Sequence, residues 1–230
     1  MLCLGLLQDA FVAAHLYDGA LSPDLCNGKS ERRMVDEEST VNCCSCSSGD
    51  KRINGYNRVI DSSECKNGYA YVTQRFIEPP YWHRTVWDVI QFDLDAYAGS
   101  FARLVVKAGL TDMLMDRDAD YTVMVPTNDA LAPIIDSQDP FPYQSWEDLV
   151  LNHIIPTVQA TKFMERGSRV SMITAYNTEV DMIKPAREGS VYLTCANKYV
   201  DSKAKITDKE NLLAANGVVH MINAILYPDH

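Results

Sequence analysis

Apolar positions fall at helical spacing in one part of the chain and cluster as strands in another. Phe101, Leu104, Val105 and Ala108 mark one face of an amphipathic helix, with Ser100 placed to cap it and Gly109 placed to end it. Before it, Thr85 can cap a short helix through Ile90. After it, Thr111 opens a further turn that carries Met113 and Leu114. Asp116 to Asp120 is polar and reads as a loop, and Tyr121 to Val125 is rich in β-formers and reads as a strand. Pro126-Thr127-Asn128-Asp129 breaks that strand and opens a helix. Thr127 is its expected N-cap, and Asp129 sits where a helix dipole favours negative charge. Ser145-Trp146-Glu147-Asp148 resembles a capping box, and its helix is expected to run to about His153, ahead of Pro156. From there on the pattern yields only short strands, at Val170–Thr174, Glu179–Ile183, Ser190–Cys195, Tyr199–Ile206 and Val218–Leu226. Helices first and strands second is an α+β pattern.

The pattern also repeats. Glu64 to Pro79 contains Asn67-Gly68, a β-rich run and a proline; Leu213 to Pro228 contains Asn216-Gly217, a β-rich run and a proline. The distance from Asn-Gly to proline is the same in both. Each reads as a turn that needs positive φ, then a strand, then a stop. Further back, Asn54-Gly55-Tyr56 parallels Asn197-Lys198-Tyr199, and Ala13-Ala14-His15 parallels Leu151-Asn152-His153. Residues 1–80 therefore read as the second half of what residues 83–228 contain in full. Glu78-Pro79-Pro80 is the expected boundary, since two prolines stop any regular element. A half copy that lacks its opening strand and helices should carry an unpaired sheet edge or an exposed apolar face.

Three segments of the complete copy, in this order and spacing, resemble the fasciclin-like domain family. Tyr121 to Leu131 is similar to its first signature block, Leu149 to Pro156 to its central tyrosine–histidine segment, and Asn216 to Pro228 to its closing block. The N-terminal portion carries the central and closing blocks without the opening one. The resemblance implies a β-wedge or sandwich of short strands with a cluster of N-terminal helices. It implies extracellular or cell-surface adhesion by tandem copies, with protein or polysaccharide as partner, and no catalysis. It marks Asn152, His153, Ile154 and Ile155 as a candidate adhesion or structural segment, and Thr127, Asn128, Asp129, Asn216 and Gly217 as a structural signature. The family usually places tyrosine before the histidine; here Asn152 precedes His153 and Ala14 precedes His15.

Composition narrows the partners. In 230 residues, 31 acidic side chains face 21 basic ones, for a formal charge of −10. Such a surface repels phosphate backbones, which argues against nucleic acid. The apolar run Met1–Leu7 is interrupted by Gln8 and Asp9, well short of the ~20 residues a membrane span needs. It also lacks the basic start and cleavage site of a signal peptide. Because a secreted protein begins with a signal, the chain reads as a fragment or as having a misplaced start. Six of the seven cysteines precede residue 66. Cys43 and Cys46 have C-x-x-C spacing, but Cys26 and Cys65 stand alone and offer no second zinc pair. A disulfide in the N-terminal part and free thiols are the remaining readings.

Candidate chemistry is thin. His153 has no nucleophile or carboxylate pattern beside it and reads as a histidine that bonds backbone at a helix end. His220 has less claim, since Tyr71 stands at its position in the other copy. Asp116-x-Asp118-x-Asp120 begins like a calcium loop, but Tyr121 and Thr127 stand where glycine and glutamate are required. No Gly-rich phosphate loop, G-x-S-x-G or H-E-x-x-H occurs. The expectation is a non-enzymatic binding module without cofactor, metal or catalytic residue. The alternatives are a small-molecule-binding or enzymatic domain with an unrecognised site, and a passive spacer.

Overall fold

The computed structural model describes residues 12, 15–17, 30–34, 40–45, 51–54, 57–136, 143–187, 189–195 and 203–227. The chain divides into two compact units, Met1–Trp82 and His83–His230. Much of the expected N-terminal helix, Cys3, Cys26, Cys46, Gly55, Tyr56 and Asn197–Val200 lie outside the described residues.

The first unit is an antiparallel meander of β1 (Ser30–Arg33), β2 (Thr40–Ser45), β3 (Lys51–Ile53), β4 (Asn57–Cys65) and β5 (Gly68–Thr73), in that spatial order. Asn54 turns the chain between β3 and β4 with φ 56°, a left-handed conformation that asparagine tolerates better than most residues. Lys66 and Asn67 make the two-residue turn between β4 and β5, and Gly68 follows with φ 154°. Among the described residues Met34, Ile53 and Ile77 are buried, with Tyr17 and Val59 against them. Below them Asn57 is buried and fully engaged, its amide donating to the Arg75 carbonyl at 2.5 Å and accepting from the Arg75 N–H at 2.9 Å. Cys65 is a free, exposed thiol.

The second unit opens with helices. Thr85 caps α1 (Val86–Asp88) in a full capping box with Asp88, as its position in the sequence suggests. The chain then winds wider, as a π-segment from Val89 to Asp93, rather than continuing the regular helix to Ile90. α2 (Asp95–Ala108) follows, closed by Gly109 at φ 71°. Ser100 lies inside α2 and not at its start. The helix begins at Asp95, breaks at Ala98 (φ −138°), and resumes. At the break the Ser100 N–H needs an acceptor, and the Asn128 side chain supplies it from the far side of a strand at 2.9 Å. Asn128 also donates to the Ala96 carbonyl at 3.4 Å, so one amide clasps both sides of the break.

α3 (Thr111–Met115) leads through the aspartate loop to β6 (Tyr121–Pro126). Thr127 Oγ accepts from the Ala130 N–H at 3.2 Å and so caps α4 (Asn128–Asp136). Ser145 Oγ accepts from the Asp148 N–H at 3.1 Å and caps α5 (Trp146–Leu151), which stops two residues before His153. The strands are β7 (Ile154–Ile155), β8 (Arg169–Ile173), β9 (Glu179–Ile183), β10 (Tyr192–Cys195), β11 (Lys203–Lys205), β12 (Leu212–Ala214) and β13 (Gly217–Ile222). The expected strand to Leu226 ends at Ile222, and that expected over Tyr199–Ile206 is seen as Lys203–Lys205.

These strands form two sheets, β11-β10-β9-β8 and β12-β13-β6-β7. The first is an antiparallel meander. The second is built around a parallel pair, with β6 and β13 in register from Tyr121↔Gly217 to Pro126↔Ile222. Every residue of both strands is buried, because the pair is covered on both faces. Val123, Val125, Val219 and Met221 meet the helices, together with Phe101, Leu104 and Leu149. Met124 and Ile222 meet the other sheet, together with Met172, Val180, Met182 and Leu193. Full burial of one such side chain stabilises by roughly 1.5–3 kcal/mol. The layers are thus helices, mixed sheet and antiparallel sheet, an α+β fold.

Candidate functional site

The polar groups of the second unit gather where its two sheets and helices meet. His153 is wholly buried between α5 and the chain that follows β13. Its Nδ1 lies 2.7 Å from the Leu149 carbonyl, and its Nε2 accepts the Leu226 N–H at 3.0 Å. The ring is therefore neutral with the proton on Nδ1. Burial holds its pKa down at about 4, against the weaker upward pull of the Leu149 carbonyl. Phe101 lies against the ring at 5.9 Å between centroids.

Asn152 extends the cluster. Its amide nitrogen donates to the Leu226 carbonyl and to the Tyr143 hydroxyl, each at 3.0 Å. Its oxygen accepts from Thr174 Oγ at 3.1 Å. The Tyr143 hydroxyl donates to the same Leu226 carbonyl, and burial pushes its pKa up. Ile154 and Ile155 are buried as well, pairing with Val123 and Thr122. All four residues of the candidate adhesion segment thus lie beneath the surface: Asn152 and His153 hold the segment after β13, and Ile154 and Ile155 pair with β6.

Asn216 does comparable work at the other end of β13. Its side-chain oxygen accepts from the Val86 N–H at 2.8 Å, and its nitrogen donates to the carbonyls of Leu114 (3.0 Å) and Asp116 (2.7 Å). Its own carbonyl accepts the Tyr121 N–H at 2.9 Å. Gly217 follows with φ 149°, and a Cβ there would lie 1.9 Å from the Tyr121 carbonyl oxygen. Both a backbone conformation closed to most side chains and a direct contact demand glycine. Asp129, by contrast, is exposed in the first turn of α4 and lines a surface cleft with Arg103 and Trp146.

His220 is the second wholly buried histidine. Nε2 faces the Gln159 carbonyl at 2.9 Å and Nδ1 accepts the Asn211 N–H at 3.2 Å, so this ring is neutral with the proton on Nε2. Burial lowers its pKa to about 4, opposed by the Gln159 carbonyl and then by Glu210. Beside it, Thr161 Oγ donates to Glu210 at 2.5 Å and accepts from Asn211 at 2.7 Å, and Lys184 donates to the Thr161 carbonyl at 3.0 Å. These residues floor an open cleft of about 490 Å³ whose rim includes Lys162, Lys205 and Ser190. Sequence reasoning passed over this cleft, because Thr161 and Asn211 stand 50 positions apart.

In the 116–120 loop the Asp116 side chain serves the backbone, accepting the Asp118 N–H at 3.0 Å. Among the described residues no cluster of ligating side chains could hold a metal ion, and no helix is long and apolar enough to cross a membrane.

Comparison with known proteins follows the same lines. The family model for the Fasciclin domain matches residues 97–228, more than half of the chain. The chain is 28% identical over 137 residues to transforming growth factor-beta-induced protein ig-h3 of Oryctolagus cuniculus, covering 55% of this chain and 17% of that protein. It is 26% identical over 237 residues to the ig-h3 protein of Sus scrofa, covering 97% and 29%. Against Periostin of Homo sapiens it is 21% identical over 170 residues, covering 73% and 18%. The chain therefore spans less than a third of the length of these relatives. Among solved structures it resembles a domain pair from the insect cell adhesion molecule Fasciclin I, with a TM-score of 0.50 and 15% identity over 94% of this chain and 78% of that one.

Proposed function

Because the chain belongs to the fasciclin domain family, we propose that it is a non-enzymatic adhesion module, secreted or at the cell surface, that binds extracellular protein or polysaccharide. The observation that carries this reading is the placement of its polar side chains. The histidines nominated by sequence, His153 and His220, are both buried, neutral and bonded at both ring nitrogens to backbone. A general base must reach a substrate proton, and neither ring has a free nitrogen to offer. Thr127, Asn128 and Asn216 cap helices, clasp a helix break and tie three segments together. The cell adhesion molecule named among the solved structures supports the same reading.

Binding then falls to the exposed surface. The cleft lined by Lys162, Lys184 and Lys205 is open and mixed in polarity, as an extended peptide or a sugar chain requires. Its hydroxyls and amides offer hydrogen bonds, and its lysines favour anionic groups. The test is immobilisation of extracellular matrix proteins and of uronate-rich and neutral polysaccharides, with the purified chain as analyte. Saturable binding that weakens at least tenfold in Lys205→Glu, with the melting curve unchanged, is the expected result. Turnover of generic ester, peptide or glycoside substrates by the purified chain would sink the non-enzymatic reading. Absence of any binding partner across such a screen would favour the passive spacer instead.

A further inference from the structure

The acidic excess of the chain is unevenly spread. Residues 161–210 hold nine of its 21 basic side chains but only seven of its 31 acidic ones. That stretch is therefore net positive in a chain of formal charge −10. The fold draws part of it together. Lys162 comes from the single turn Thr161–Phe163, Lys184 follows β9 and Lys205 belongs to β11, and all three line the cleft of about 490 Å³. Among the described residues none of the three forms an ion pair, although Asp208 and Glu210 line the same cleft.

Side-chain bonds within the chain fix the floor of the cleft. The Asn211 side chain accepts the Lys162 N–H at 3.3 Å and donates to Thr161 Oγ at 2.7 Å. The Asn211 N–H is itself held by the buried His220 ring. Lys184 directs one ammonium proton at the Thr161 carbonyl and keeps two for a ligand. Val191 and Ile206 also line the cleft but are only 6% and 2% exposed, so the side chains accessible in it are polar.

The basic character continues past the cleft. Ala204 is buried, so by strand alternation Lys203 and Lys205 both project to the outer face of the β11-β10-β9-β8 sheet. Lys205 stands opposite Tyr192 of β10, and Lys203 Nζ lies 5.7 Å from the centre of the Tyr192 ring. Along the strand the two lysines are about 7 Å apart.

We propose that this cleft and the adjoining Lys203–Tyr192 face bind an anionic polysaccharide, a sugar chain that bears carboxylate or sulfate groups. The inference rests on reading the chain as a binding module, and selects one class among the partners of that reading. Unpaired ammonium groups set along one line meet anionic groups set along a chain. Asp208 and Glu210 face the same ligand and need donors, which sugar hydroxyls supply. An acidic peptide meets those two carboxylates with like charge, and a neutral sugar gains nothing from the lysines. Because the chain as a whole repels polyanions, such binding must be local to this face.

The test places the purified full chain over immobilised heparin, alginate, dextran sulfate, neutral dextran and poly-glutamate. Saturable binding is expected to heparin and to alginate, dextran sulfate or both. Alginate carries carboxylates alone and dextran sulfate carries sulfates alone, so these two arms identify the anionic group. Lys162→Gln, Lys203→Gln and Lys205→Gln should each weaken heparin binding by roughly tenfold, about what one hydrogen bond to a charged group is worth. All three side chains are exposed, so the melting curves should not change. Lys107→Gln removes the same charge from α2, outside the cleft, and should leave binding unaltered. Equal weakening by Lys107→Gln, or binding that none of the cleft variants alters, overturns the proposal. So does neutral dextran or poly-glutamate bound as tightly as heparin. Capture of matrix proteins with no anionic glycan bound overturns it too and leaves the adhesion reading standing. Substrate turnover with glycan binding intact would refute the non-enzymatic reading alone.

Discussion

Acid should destabilise the second unit through two identifiable rings. His153 and His220 have unfolded-state pKa values near 6.5 and folded values of about 4. Both folded values are depressed, so the stabilising contribution is full above the unfolded value and is lost as pH falls toward the folded one. Between pH 7 and pH 5 the unfolded chain takes up a proton at each ring and the folded chain scarcely does. Linkage gives a loss of roughly 2 kcal/mol per histidine over that interval. Around pH 5 the unfolding of the second unit should thus take up about two protons from these rings, and about one in His153→Gln or His220→Gln. The Asp181 carboxyl, held below its ordinary range chiefly by Arg169, titrates below this window and does not confuse it. Urea unfolding at pH 7, 6 and 5, followed by near-UV circular dichroism, measures the slope. An equal fall in stability for the parent and both variants would show that these rings do not carry the acid sensitivity.

Glycine contrasts offer a second check. Gly217→Ala should prevent the second unit from folding, because its Cβ meets the Tyr121 carbonyl, whereas Gly68→Ala should cost only backbone strain of about 1–3 kcal/mol in thermal melts. Asn216→Ala strands the Val86 N–H and leaves the Leu114 and Asp116 carbonyls without this donor, and should cost roughly 2–5 kcal/mol in urea unfolding. Thr85→Ala removes one cap and should cost about 1 kcal/mol by the same measurement.

Local signals were legible in the sequence and distant ones were not. Thr85, Gly109, Thr127 and Ser145 act at the helix ends where their residue types place them, since capping involves neighbours a few positions away. Ser100 looked like a cap for the same local reason. The break that it follows is stabilised instead by Asn128, a residue 28 positions on, which no window around Ser100 contains. The two-residue β7 and three-residue β12 carry too little pattern to register as strands. Tyr143 drew no notice because nothing near it in sequence indicates that it will meet Asn152 and Leu226. The histidine of the central segment was readable as a backbone-bonding residue. That its second partner would be Leu226, 73 positions away, was not.

The three signature segments occupy a single structural place, which bears on where function can lie. Tyr121–Leu131 supplies β6, Leu149–Pro156 supplies β7, and Asn216 onward supplies β13, and these are adjacent strands of one sheet. The sheet is buried, and its ends are fixed by Asn216 and by the His153–Leu226 bond. Such segments identify a family because changes in them damage the fold, and for the same reason they say little about a ligand that cannot reach them. Under the proposed function, recognition falls to residues that the motif leaves accessible, among them the lysine-bearing cleft of the second unit.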